Sequence, residues 1–376
     1  MATGIREHFA ELPDPRQASG RRHRLGDILA ISICAVICAA EQWSEIEEFG
    51  QAKEAWFRTF LRLAQGIPSE DTFRRVFAAL DPEAFERCFI SWIKAWIKAL
   101  SGSSKGKLIP IDGKTLRHSF DRANGKVAIH RVSAWGSANG LCFGQLATEA
   151  KSNEITAIPK LLKLLDLEGA TVTSDAIGCQ KAIAAQIAEQ GGDYVLALKE
   201  NQVTLHEEVK LFLDHNIAAP SREFAIYSCQ ETDGDHGRVE IRRAWVTPAV
   251  DWFEDCGQWK GLKSFAAVEC ERDVGDKITC ERRYFISSLD GTDAARIAQA
   301  VRNHWSVENN LHWSLDVSFH EDQSRIRKGH GAENFSRLRR IALNLLKQET
   351  TCRRGIKTKR LRAGWDEQYM CQVLQI

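Results

Sequence analysis

Asp112 closes a short apolar run, Leu108-Ile-Pro-Ile-Asp112, and is followed by Gly113 and Lys114. The same arrangement returns at Ala170-Thr-Val-Thr-Ser-Asp175-Ala-Ile-Gly178. Carboxylates at the tips of two apolar strands suit a hard divalent cation, which takes oxygen donors. A third acid, Glu308, lies in the aromatic-rich segment His304-Trp305-Ser-Val-Glu308-Asn-Asn-Leu-His312-Trp313. Such a triad can hold two Mg²⁺ ions, with Mn²⁺ as a substitute, for in-line attack on a phosphodiester. Taken singly, Asp112 also reads as a turn acid before glycine, and Asp175 as a helix N-cap. If they form one site, the acids repel one another without a cation, so the site should respond to metal.

Glu308 has rivals in Asp316, Glu321 and Asp322. On a helix, His304, Glu308, His312 and Asp316 fall at successive i,i+4 steps along one polar stripe, which faces either the metals or solvent. Mg²⁺ prefers oxygen, so the two histidines read as phosphate contacts or packed side chains. Trp305 and Trp313 read as core, with base stacking as the lesser alternative. Lys199 ends the strand after Asp175 and is either a phosphate contact at the tip of a catalytic sheet or a plain surface lysine.

The elements that must carry these residues come in blocks. The first hundred residues read helical, with an apolar run from Ile28 to Ala40 and a stripe of Phe85, Phe89, Trp92, Ile93 and Trp96 opened by Asp81-Pro82. Ser101-Gly-Ser-Ser-Lys-Gly-Lys107 is a linker. Beyond it come a strand to Asp112, a hairpin about Asn139-Gly140, a helix ending near Asp166, the Asp175 strand, a helix from Gln180 to Glu189, and a strand from Tyr194 to Leu198. The order β-β-β-α-β-α-β, with acids ending strands one and four, is that of an RNase H-like domain. Doubly wound nucleotide folds share the alternation, but no glycine-rich phosphate fingerprint follows any strand. The expected class is α/β: an RNase H-like core in 108–199, a β-rich insertion in 200–290, and a helical part of the core carrying Glu308 in 291–322. A helical N-terminal domain, 1–100, precedes the 101–107 linker, and a basic helical C-terminal region, 323–376, closes the chain.

Net charge is only +1, but its distribution is uneven. Residues 323 to 362 carry thirteen Lys/Arg against two Glu, a footprint of a polyanion partner. The backbone-binding candidates there are Arg325, Arg327, Lys328, Arg337, Arg339, Arg340, Arg353, Arg354, Lys357, Lys359 and Arg360. The eleven cysteines are scattered, odd in number and form no Cys-x-x-Cys pair, which argues against a zinc ribbon and for a reducing cytoplasm. The run after Arg21-Arg-His-Arg24 is too short to span a bilayer and reads as a buried helix.

With these residues in view, the chain resembles bacterial insertion-sequence transposases of the ISAs or H-repeat-associated type, within the DDE transposases that carry a β-insertion. The blocks that carry the resemblance include Asp14-Pro-Arg16, Pro68-Ser-Glu-Asp-Thr-Phe-Arg-Arg75, Ile111-Asp-Gly-Lys-Thr-Leu-Arg117, Lys151-Ser-Asn-Glu-Ile155, Asp175-Ala-Ile-Gly-Cys-Gln180, Gly191-Gly-Asp-Tyr-Val-Leu-Ala-Leu-Lys199, His304-Trp305 through Asp316, and Ala332-Glu-Asn334 onward to Arg340. The resemblance puts the triad on Asp112, Asp175 and Glu308, and with it metal binding is preferred over the turn and cap readings. Related transposases carry Tyr, Arg and Lys seven before, four before and seven after the catalytic Glu. This chain has Val301, His304 and Leu315 there, which leaves Arg302 and His304 to contact DNA in part.

The resemblance implies a Mg²⁺-dependent enzyme that cuts at transposon ends and joins them to target DNA. Its partners would be double-stranded DNA, as terminal inverted repeats and target, and a second copy of the chain on paired ends, with no membrane. It would work in the bacterial cytoplasm, associated with the nucleoid. Two other readings compete: a nuclease of the same fold without joining activity, and a domesticated DNA-binding protein, whose expected loss of a triad acid is not seen.

Overall fold

The computed structural model describes residues 4–101, 106–120, 127–148, 154–235, 238–275 and 277–376. Six helices come first: α1 Ile5–His8, α2 Leu25–Ile37, α3 Trp43–Ala52, α4 Glu54–Phe57, α5 Glu70–Ala79 and α6 Pro82–Ser101. α2 is apolar on almost every face and is buried nearly throughout. Proline opens α6 because the first turn has no use for its missing N–H, and Asp81 Oδ1 accepts from the Glu83 N–H at 3.0 Å. The aromatic stripe of α6 is core, as its spacing predicts. Most of the expected 101–107 linker lies outside the described residues.

Among the described residues nine strands form one sheet: β1 Leu108–Thr115, β2 His130–Gly136, β3 Leu141–Thr148, β4 Thr171–Ser174, β5 Asp193–Leu198, β6 Tyr227–Asp235, β7 Arg238–Thr247, β8 Ser264–Val274 and β9 Lys277–Ser287. Their order is β3-β2-β1-β4-β5-β9-β8-β7-β6. β1, β4 and β5 run parallel, which requires crossovers. Helices α7 Glu154–Leu164 and α8 Lys181–Glu189 supply them. The segment from 200 to 290 holds α9 Val203–Ala218 and the four strands β6 to β9. These continue the sheet, because β9 pairs antiparallel with β5.

Side-chain alternation decides what covers each face. Val195, Ala266 and Phe285 point to one side, beneath α10 Ala294–His304. Leu196, Phe265, Ala267 and Ile286 point to the other, in one core with Leu205, Val209 and Leu213 of α9. α10 also packs against β1 and β4, and so brings the chain that follows it to their tips.

That chain forms α11 Trp313–Phe319, α12 Gly331–Gln348, α13 Ile356–Trp365 and α14 Glu367–Leu374. α12 does not lie on the surface. It packs against α2, α5, α6 and β3, and its arginines go inside with it. Arg337 Nε meets Glu86 Oε2 at 2.6 Å, and Arg340 meets Glu321 Oε1 at 2.8 Å. Arg339 lies 4.5 Å over the Phe335 ring. Buried Lys359 donates to the Leu346 carbonyl at 2.9 Å, and Arg360 to the Val36 and Ile37 carbonyls that end α2, at 2.9 and 3.3 Å. The expected phosphate-binding role of Arg337, Arg339, Arg340, Lys359 and Arg360 is therefore corrected: they are interior groups. Among the described residues no helix is long and apolar enough to cross a membrane.

Candidate active site

The parallel pairing of β1 with β4 ends at Ile111 and Ser174. Asp112 and Asp175 each follow by one residue, so they stand side by side where the ladder stops. Asp112 is not the last residue of its strand, as the apolar run suggested. β1 continues to Thr115 because β2 still pairs with it on the far edge. By alternation Asp112, Lys114, Thr173 and Asp175 share one face. Asp175 also caps the 3₁₀ turn Ala176–Gly178, its Oδ1 accepting from the Ile177 N–H at 3.1 Å.

The polar stripe lies on that face. His304 Nδ1 meets Thr173 Oγ1 on β4 at 2.9 Å. His312 Nδ1 stands 3.4 Å from Asp112 Oδ2. Asp316 pairs with Lys114. Glu308 sits between these rungs, exposed, on a π-helical stretch, Val307–His312, that joins α10 to α11. Such turns recur at functional sites because the extra residue resets which side chains face a neighbour.

The rivals of Glu308 have partners. Asp316 has Lys114. Glu321 is buried against Arg340 and accepts from Ser336 Oγ at 2.6 Å. Asp322 lies 3.9 Å from Lys114 and 3.5 Å from Arg117. Glu308 has no cation within ion-pair distance among the described residues.

Burial is the first cause that pushes the Asp112 carboxyl up, to about 7, and the charges of Asp175, Glu308 and Glu154 add to it. Burial also raises Asp175, with Glu154 adding and Lys199 opposing. Desolvation lowers His304 to about 4 and His312 to about 3, so both rings are neutral near pH 7. Glu154 was not foreseen. It opens α7 on the opposite face of β1, is buried, and pairs with His130, whose Nδ1 meets Thr115 Oγ1 at 2.8 Å. A Cβ at Gly113 would meet the Glu154 carboxylate and the His130 ring, so that buried pair would have to shift to admit one. The one sequence signal for Glu154 is its place in Lys151-Ser-Asn-Glu-Ile155. For Lys114 it is the i,i+2 step from Asp112.

The donor set is three carboxylates, the oxygen chemistry that Mg²⁺ or Mn²⁺ takes. Their mutual repulsion at a buried Asp112 is what a cation would relieve. As the side chains stand, they do not yet meet in one coordination sphere: among the described residues no three His, Cys, Asp or Glu groups converge that tightly.

The remaining expected contacts divide. Lys199 is exposed beyond β5, with its charge felt at Asp175. Arg302 is held by Glu231 at 3.0 Å and Asp233 at 2.6 Å, so its charge is already used. His304, neutral and bonded to Thr173, offers phosphate no positive charge. Arg325, Arg327 and Lys328 line an open groove together with His118 and Arg74, the latter paired with Asp71, and with the acids Glu41 and Glu70. Arg353, Arg354 and Lys357 are exposed. Trp305 and Trp313 are corrected: they are 43% and 59% exposed, not core.

The family description "DDE_Tnp_1-associated" matches residues 6–93, and "Transposase DDE domain" matches residues 103–345. The "H repeat-associated putative transposase YhhI" of Escherichia coli (strain K12) is 41% identical over 98% of this chain and 97% of its own length. The "Putative transposase YncI" of Escherichia coli O157:H7 is 42% identical over 98% of this chain and 93% of its own. A cryo-EM structure of the piggyBac transposase synaptic complex with hairpin DNA aligns with 100% of this chain and 77% of that one, at TM-score 0.40 and 10% identity, too slight a likeness to carry an argument.

Proposed function

Because the chain belongs to the DDE transposase family and is a DNA transposase, we propose that it cuts transposon ends and joins them to target DNA through Asp112, Asp175 and Glu308. The family works with divalent metal ions, and two Mg²⁺ ions are the reading here. The observation that carries it is the common face of Asp112 and Asp175, with Glu308 bracketed above them by the His304 and His312 rungs. The strand order from β3 to β5, with α7 and α8 as crossovers, supports an RNase H-like core interrupted by the β-rich segment 200–290.

Two ions held by these carboxylates would activate the attacking water or 3′-hydroxyl and neutralise the leaving oxygen. The protein's own contribution is placement. β1 and β4 fix Asp112 and Asp175, and the Lys114–Asp316 pair fixes the helix that carries Glu308. Lys199, at the tip of β5, and the groove of Arg325, Arg327 and Lys328 would hold DNA by its phosphates, which gives affinity without sequence reading. The helical residues 1–100 would recognise the terminal repeats, in a cytoplasmic, nucleoid-associated enzyme.

The test is cleavage of the element's own ends in Mg²⁺. Asp112→Asn, Asp175→Asn and Glu308→Gln each remove a charged ligand with little change of shape, so each should abolish cutting while end binding persists. Near-normal cutting by any one removes that residue from the triad. Pre-cut ends then separate transposase from plain nuclease: an enzyme that hydrolyses but never joins them is the latter.

A further inference from the structure

We infer that His312 is a positioning residue for Asp112: its buried imidazole donates the Nδ1 proton to Oδ2 and fixes the direction in which the carboxylate faces. The inference rests on the reading of Asp112 as a metal ligand.

The two oxygens of Asp112 have different surroundings. Oδ1 accepts from the Gly113 N–H at 2.8 Å, which ties it to its own strand. Oδ2 has His312 Nδ1 at 3.4 Å. As it stands this is a close approach and not a formed hydrogen bond; catalytic hydrogen bonds are often long or poorly aligned until substrate and ions draw a site together. The ring is only 8% exposed, and its Nε2 is enclosed with no hydrogen-bond partner. A neutral imidazole has one N–H to give. At Nδ1 that proton meets a carboxylate, whereas at Nε2 it would be buried unpaired.

The next rung holds the ring in place. Asp316 follows His312 by four residues and pairs with Lys114, which follows Asp112 by two on the same face of β1. Four residues of helix rise about 6 Å and two of strand about 6.6 Å, so the two ladders keep step. His312 cannot slide along β1 without breaking the Lys114–Asp316 pair. Partners of this kind orient metal ligands, and losing one commonly weakens the metal by about ten- to a hundredfold.

The test measures Mn²⁺ binding to the full chain, from the electron paramagnetic resonance signal of free Mn²⁺, with no turnover needed. Asparagine carries an amide nitrogen where Nδ1 stands; glutamine fills the space better but carries it where Nε2 stands. His312→Ala and His312→Gln should therefore weaken the tightest Mn²⁺ site about tenfold or more, and His312→Asn by no more than about threefold. A purely space-filling histidine predicts the reverse order of Asn and Gln. Wild-type affinity in H312Q or H312A, or an H312N as weak as H312A, overturns the inference. Asp112→Asn is the control: if it binds Mn²⁺ as the wild type does, the metal-ligand reading of Asp112 fails first, and this inference with it.

Discussion

Asp112 is an acid whose burial works against its charge. Its folded value, about 7, lies above the ordinary 3.8, so the folded state holds the proton more tightly than the unfolded chain does. Ionisation therefore costs stability. The penalty is complete above about pH 7, shrinks as the pH falls through that value, and is gone below about pH 4; its full size is on the order of 4 kcal/mol. With chelator present, Asp112→Asn should unfold at a higher temperature than wild type at pH 8, and the gap should close toward pH 4. Parallel pH profiles for the two proteins would mean that Asp112 is not strained by its surroundings. The metal should relieve the same strain, so its affinity should rise with pH across that window.

At the scale of elements, what the sequence made legible was whatever depends on short range. Apolar runs ended by Asp112 and Asp175, the Asn139-Gly140 turn and the i,i+4 stripe each reached the structure as strand, hairpin and aligned rungs. The π-turn was not legible, because one extra residue in a helix leaves the stripe's spelling unchanged. Nor was the fate of Arg337 and Arg340. Their partners, Glu86 and Glu321, lie in other elements, and a basic helix normally reads as solvated. Phe335, Leu338, Ile341, Leu345 and Leu346 mark one apolar side of α12, but Ser336, Arg337, Arg340, Asn344 and Lys347 lie opposite, so the helix reads as amphipathic and nothing in its spelling says that the polar side is enclosed as well. Arg337→Met should cost about 3–5 kcal/mol in urea unfolding, because Glu86 is left charged and buried. Adding Glu86→Gln should recover most of it, since the amide oxygen can still accept from the Gln145 N–H as Glu86 Oε1 does at 2.7 Å. A double variant as unstable as the single one would show that the pair itself, not the orphaned charge, carries the energy.

For the whole molecule, the interior position of α12 changes what a truncation reads. Ending the chain after Asp322 should give unfolded protein by circular dichroism, not a folded one with weak DNA affinity; a soluble, cooperatively melting fragment would contradict the packing. The phosphate contribution is better read from Arg325→Ala, Arg327→Ala and Lys328→Ala together. This variant should stay folded and flatten the slope of log affinity against log salt by about 0.9 for each phosphate no longer neutralised; an unchanged slope would leave the groove without DNA. Two ends need two active sites, so adding Glu308→Gln protein to wild type should depress double-end cleavage more than dilution does. A strictly proportional loss would point to protomers that act alone.

The burial of α12 also sets a clock. Asp112 and Asp175 leave the ribosome more than a hundred residues ahead of Gly331, a lag of roughly 8–30 s at ordinary elongation rates. Through that interval the nascent chain carries acids without the helix that completes the packing of α2, α5 and α6. Cutting is thus expected only once α12 has emerged and packed. A transcript broken upstream of Gly331 yields a substrate for proteases, not a stray nuclease loose on the chromosome.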